Sequence, residues 1–146
     1  VYMSGYSPHW SDPHFLSDLT KAINGQYSAI RCYEQLAGQA PGEAERRRIL
    51  EIRNDEIRHF NAFSSLYRAV TGQSYSPHMT ESCPSHYREG LDAAFRDEQR
   101  TVDFYHEVAD KAPSMEIREL FRRAAFDEQN HAVWFLYLMT GPAASA

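Results

Sequence analysis

The chain has 146 residues and a mass of 16.8 kDa, enough for one domain with a substantial core and too little for two ordinary ones. With 42% apolar and 24% charged residues and no long polar low-complexity tract, it reads as a folded globular protein rather than a disordered chain. The net charge of -5, with 15 Lys and Arg interspersed among 20 Asp and Glu, argues against nucleic acid as a partner, and no apolar run approaches the roughly 20 residues of a membrane span.

Residues 1 to 12 show no usable periodicity, and His9, Trp10 and His14 stand at no ligand spacing. The start of the chain lacks the basic-then-apolar order of a signal peptide, so a cytoplasmic location is expected. Over about 13 to 40, alternating steps of four and three put Leu19, Ile23, Gln26, Ile30, Tyr33 and Ala37 on one helical stripe. A second helix, over about 42 to 71, carries Ile49, Ile52, Glu56, His59, Phe63 and Leu66 in the same way, with Pro41 expected in the first turn that opens it. Arg46, Arg47 and Arg48, the only basic run, fit a solvated face of this helix.

Thr71 to His86 contains Gly72, Pro77 and Pro84 with little periodicity and reads as a loop. At about 3.3 Å per extended residue it can run the length of a helix, which fits a crossover better than a short hairpin turn. A third helix over about 86 to 111 and a fourth over about 114 to 140 follow, with Pro113 in the place of Pro41 and an irregular end from 141 to 146. The expected architecture is all-α: one four-helix domain across 1 to 146, built from two antiparallel hairpins joined by a crossover. Cys32 and Cys83 form no CxxC pair, and neither a disulfide framework nor a four-thiolate metal site is expected. Any metal would therefore use oxygen and nitrogen ligands.

The two halves repeat. At an offset of 72, residues 19 to 66 match 91 to 138 without a gap, about a quarter of the positions being identical. The identities include Tyr33 with Tyr105 and Pro41 with Pro113, and Asp55, Glu56 and His59 recur as Asp127, Glu128 and His131. In each half the apolar stripes are interrupted at matching heights, by Gln26, Glu56 and His59 in the first and by Glu98, Glu128 and His131 in the second. Gln26 and Glu56 each lie 15 residues from Pro41, and Glu98 and Glu128 stand in the same relation to Pro113. Equal distance from the turn of an antiparallel hairpin means equal height, about 22 Å up helices that rise 1.5 Å per residue.

Glu and His three residues apart share one helical face and can reach one ion in front of it, so two facing copies can hold two ions. Carboxylates in a bundle core cost several kcal/mol each unless they are paired, protonated or bound to cations. Oxygen and imidazole ligands suit iron, manganese or zinc. Asp55 and Asp127 either accept the outer ring N-H of a histidine on the facing helix, fixing its tautomer, or are ordinary surface or hairpin acids. Tyr33 and Tyr105, one heptad beyond Gln26 and Glu98, are core aromatics, hydrogen-bond partners of the polar layer, or redox-active residues.

These residues resemble the ferritin-like superfamily, and most of all the ferritin-like domain of rubrerythrins, whose pattern puts a ligand glutamate on helices one and three and an ExxH on helices two and four. AFRDEQRTVDFYHEVA (94 to 109) is similar to the third helix of that family, and DEIRH (55 to 59) and DEQNH (127 to 131) resemble its ExxH segments. AINGQYSAIRCYEQLA (22 to 37) aligns with the first helix, but Gln26 stands where the family has a ligand glutamate.

The resemblance implies two iron ions, with manganese or zinc as alternatives. Glu56 and Glu128 would bridge them, His59 and His131 would bind one each, Glu98 would be a terminal ligand and Gln26 a weak sixth. Glu56, Glu98 and Glu128 would then frame the reacting centre. The implied activity is reduction of hydrogen peroxide or dioxygen by a homodimer. Electrons would come from an external rubredoxin-like or flavoprotein donor, because the chain has no four-cysteine iron site. A ferritin-like ferroxidase or iron-handling protein and a non-catalytic metal-binding bundle are the alternatives.

Overall fold

The computed structural model describes residues 12 to 142; His9 and Trp10 lie outside them. Four helices follow in chain order: α1 (Pro13–Gln39), α2 (Glu43–Thr71), α3 (Tyr87–Asp110) and α4 (Met115–Thr140). Asp12 opens α1, its side chain accepting the His14 backbone N-H at 2.9 Å, and Pro13 fills the first position, where no backbone donor is needed. Gly72 closes α2 in the left-handed conformation at φ 75°, and its N-H donates to Arg68 O at 2.8 Å.

The two interior prolines are placed differently from expectation. Pro41 and Pro113 precede Gly42 and Ser114, which take the capping positions of α2 and α4, so each proline belongs to the turn and not to the first helical turn. Ser114 accepts the Ile117 N-H at 3.2 Å, a bond only the capping residue can make.

α1 pairs with α2 and α3 with α4, and the two hairpins meet through α1 against α3 and α2 against α4. Residues 73 to 86 join the hairpins by running along α1. Asn24 Nδ2 donates to Tyr75 Oη and its Oδ1 accepts from His78 N; Ser28 Oγ accepts from Thr80 N; Gln35 Nε2 donates to Pro84 O. Anchors at Asn24, Ser28 and Gln35 climb the helix in order, so the crossover returns the chain to the end of the bundle where α2 began. Between these anchors Cys32 and Cys83 form a disulfide, with a Cα–Cα distance of 5.1 Å. This corrects the expectation that the cysteines build no disulfide framework. They are 51 residues apart in sequence, and only the crossover path brings them together.

The core is two apolar clusters at different heights. One includes Leu19, Ile23, Phe63, Tyr105 and Phe121; the other includes Tyr33, Ile49, Ile52, Leu91 and Phe135. Between them lies the layer of Gln26, Glu56, Glu98, Glu128 and His131, each at most 2% exposed, with His59 at 9%. No helix among the described residues is long and apolar enough to cross a membrane.

Candidate metal centre

Each polar side chain of the layer is aimed inward by the same periodicity that buries its apolar neighbours. The two ExxH segments face one another across α2 and α4. His59 Nδ1 lies 3.0 Å from Glu128 Oε1, and His131 Nδ1 lies 2.9 Å from Glu56 Oε1, so each histidine meets the glutamate of the opposite segment. Glu98 comes in from α3, its Oε2 3.6 Å from His131 Nδ1. Glu56, Glu98, Glu128 and His131 offer ligand atoms that all lie within 4.8 Å of one another.

The outer edges of the histidines are fixed. His59 Nε2 donates to Asp127 Oδ2 at 2.8 Å, and His131 Nε2 donates to Asp55 Oδ2 at 2.7 Å. A carboxylate can only accept, so the proton of each neutral ring sits on Nε2 and the lone pair of Nδ1 points into the bundle. The tyrosines cross-link the other two helices. Tyr33 Oη donates to Glu98 Oε1 at 2.6 Å, while Gln26 Nε2 donates to Tyr105 Oη and, at 3.4 Å, to Glu128 Oε1.

These contacts leave a consistent residue. Gln26 Oε1, Glu56 Oε1, Glu98 Oε2, His59 Nδ1 and His131 Nδ1 are all buried without a hydrogen-bond partner. With the carboxyls ionised and the rings neutral, close approach here brings acceptor to acceptor. Five orphaned acceptors in one layer are far outside what a folded interior tolerates, and a cation is the partner that would satisfy all of them together. The residues therefore fit a metal centre with oxygen and imidazole ligands.

The protonation pattern says the same. Burial, followed by the charge of Glu128, holds the carboxyls of Glu56 and Glu98 well above the usual carboxylate range. For Glu128, burial alone would also raise the value, but the neighbouring Glu98 and His59 groups and the charges of His131 and His59 outweigh it and bring the group to about 2. Burial would lower His131, yet Glu98 beside it and the surrounding carboxylates raise it. Without cations the layer can ionise one of its three glutamates readily and not all of them.

Matches to known proteins bear on this arrangement. The Rubrerythrin family model matches residues 89 to 142. A protein of Bacillus subtilis (strain 168), named "Uncharacterized protein YhjR", is 52% identical over 132 residues, covering 90% of this chain and 91% of that protein. The chain belongs to the rubrerythrin-type, ferritin-like family. A hypothetical protein from Pyrococcus furiosus has a similar fold, with a TM-score of 0.74 and 19% identity, covering 88% of this chain and 90% of that one.

Sequence reasoning missed the disulfide and the polar anchors Asn24 and Ser28. Those two, with Cys32, lie four residues apart along one face of α1, a face that the search for apolar stripes passes over. It also missed a cavity of about 320 Å³ that reaches Gln26, Glu56 and Glu128 from between α1, α3 and the crossover.

Proposed function

We propose that the protein is a di-metal oxidoreductase, with iron as its metal, that reduces hydrogen peroxide or dioxygen with electrons from an external donor. The observation that carries this reading is the pair of inward Nδ1 lone pairs, His59 and His131, each set against a glutamate and each fixed from behind by an aspartate. Glu56, Glu98, Glu128, His59 and His131 would hold the ions, and Gln26 would offer a neutral oxygen. When bound, two ferrous ions supply the two electrons that peroxide reduction consumes.

The chain's own residues do the rest. Asp55 and Asp127 hold the imidazoles in the ligating tautomer, and Tyr33 orients Glu98 through a hydroxyl that burial keeps protonated. Tyr105 restrains Gln26, and the apolar clusters on either side exclude bulk water. A homodimer belongs to the same proposal; Phe126, Val133 and Tyr137, exposed on the outer side of α4, are apolar surface available for the dimer. The Cys32–Cys83 disulfide argues against the cytoplasmic setting expected from the sequence, where thiols are kept reduced.

The test is metal analysis followed by turnover. Protein purified without chelators should hold one to two metal ions per chain, and anaerobic loading with iron(II) followed by peroxide should give a ferric absorption band that a reductant bleaches. Fewer than about 0.2 ions per chain, or no response of the loaded protein to either peroxide or air, would end the proposal.

A further inference from the structure

The cavity beside the centre is much larger than hydrogen peroxide requires. Its volume of about 320 Å³ is the room of several waters at ~30 Å³ each, and falls in the range of small-molecule sites. On the α1 side the wall is made by Ala22, Gly25 and Ala29, and opposite them stand Phe104, Tyr105 and the methyl-bearing Thr101. A Cβ added at Gly25 would meet nothing within 4 Å, so the mouth can take a larger side chain without a clash. The floor is polar. It consists of Gln26, Glu56 and Glu128, and Gln26 Oε1, in a side chain only 1% exposed, is an acceptor with no partner.

Charges at the mouth balance. Lys21 sits over the Phe104 ring, 4.3 Å from its centroid, and Arg100 pairs with Asp97 at 3.6 Å, with Glu81 also on the rim. Two cations against two carboxylates favour neither an anion nor a cation. An amide oxygen has two lone pairs, so Gln26 Oε1 can accept a hydrogen bond while it also faces the centre; the ligand that fits has a neutral, compact apolar body and one polar head that can donate that bond.

We propose that this cavity binds an organic hydroperoxide, its alkyl or aryl group between α1 and Phe104 and its O-OH head on the Gln26 side of the centre. The inference rests on the peroxide-reducing reading given above and names its substrate class. The O-O bond breaks, two electrons come from the reduced centre, and two protons from solvent complete one alcohol and one water. The external donor then returns the two electrons. Gln26 suits this role better than a glutamate, since a neutral amide leaves its side of the centre less fully coordinated and adds no charge to the end of an apolar cavity.

Gly25→Trp tests the cavity directly, because the new side chain fills the mouth while replacing the poorest ordinary helix former. The inert probe is cumyl alcohol, the product of cumene hydroperoxide, observed by saturation-transfer NMR on the full chain loaded with redox-silent zinc. Wild type should bind it with a Kd of about 1 mM or tighter, and Gly25→Trp should weaken binding at least about tenfold. On iron(II)-loaded protein, the ratio of oxidation rates with cumene hydroperoxide and hydrogen peroxide should fall about tenfold in the variant as well. Should Gly25→Trp fail to fold by circular dichroism, Gly25→Leu takes its place with a smaller plug. No binding of cumyl alcohol to wild type, or binding and rate ratio untouched by the plug, overturns the inference. If the centre reacts with hydrogen peroxide and ignores cumene hydroperoxide, the inference alone falls; if the iron centre reacts with no peroxide at all, the functional reading beneath it falls.

Discussion

His131 donates from Nε2 to Asp55 Oδ2 across the bundle at 2.7 Å, and His59 does the same to Asp127 at 2.8 Å. Each aspartate stands next in sequence to a glutamate of the layer, so one helical segment both lines the centre and buttresses the histidine of the opposite segment. Asp55→Ala frees the ring of His131 to turn and to exchange tautomers. The expected result is a 10- to 100-fold loss of metal affinity at that side, with helix content unchanged. Competition against a chelator of known strength measures it, and an unchanged affinity would mean that the aspartate only decorates the surface.

Gln26 and Glu98 occupy equivalent positions in the two halves, and the tyrosine bonds differ accordingly. The Tyr33 hydroxyl donates a hydrogen bond to Glu98, whereas that of Tyr105 accepts one from the Gln26 amide. In Gln26→Glu the Tyr105 hydroxyl can turn to donate, as Tyr33 does, but a fourth carboxylate joins a layer that already retains protons. Metal-free protein should lose roughly 1 to 3 kcal/mol of stability, the usual cost of a buried polar group without full partners. With metal the sign reverses, and the second ion should bind more tightly. Isothermal titration with manganese(II) or anaerobic iron(II) reads both steps; identical stoichiometry and affinity in the two proteins would place Gln26 outside the ligand set.

The same crowding makes stability depend on pH. Glu56 and Glu98 have raised pKa values, so their contribution is full below the unfolded carboxyl value of about 4.3 and is lost as pH rises through the folded values. His131, also raised, contributes below about 6.5 and loses that contribution as pH rises further. Glu128 runs the other way: at about 2 in the fold, it stabilises above the ordinary carboxyl range and ceases to as pH falls through that value. Metal-free protein should therefore be most stable in mildly acid solution, with a Tm that declines through neutrality. Metal binding expels the retained protons, so the rise in Tm on adding metal should grow over the same interval. Thermal scans with and without chelator from about pH 5 to 8 test this, and a flat metal-free profile would contradict the shared burial of the three glutamates.

What the sequence made legible follows from periodicity and what it hid follows from topology. The stripes through Leu19 and Phe63 or Leu91 and Phe135 announce buried helix faces, and the 72-residue repeat singles out Glu56, His59, Glu128 and His131 because polar residues interrupt those stripes twice in the same way. The all-α class and the two paired hairpins needed nothing more. Cys32 and Cys83 carry no such pattern. Their meeting depends on which side of α1 the crossover follows, and that is decided by the Asn24 and Ser28 contacts, which no local rule ranks above other polar pairs. The cavity was hidden for a similar reason: its shape is set by small residues on α1, and small residues leave no hydropathy signal.

That disulfide also yields a stability prediction. It closes a loop with a sequence separation of 51 and fastens the crossover to α1 between the bonds made by Ser28 and Gln35. On the chain-entropy account, cross-linking a loop of that length stabilises by about 4 kcal/mol, most of it by restricting the unfolded chain. Cys32→Ser with Cys83→Ser should lower the midpoint of denaturant unfolding by a corresponding amount. The four helices should remain, since α1 and α2 pair without the bond. The crossover itself retains its hydrogen bonds in the double variant, but Thr80 and Glu81, which lie on the wall of the cavity between Ser28 and Cys83, lose the nearest covalent restraint. Hydrogen exchange should report this as faster exchange at Thr80 N-H than in the oxidised protein, and protection unchanged there would mean that the hydrogen bonds alone hold the crossover in place.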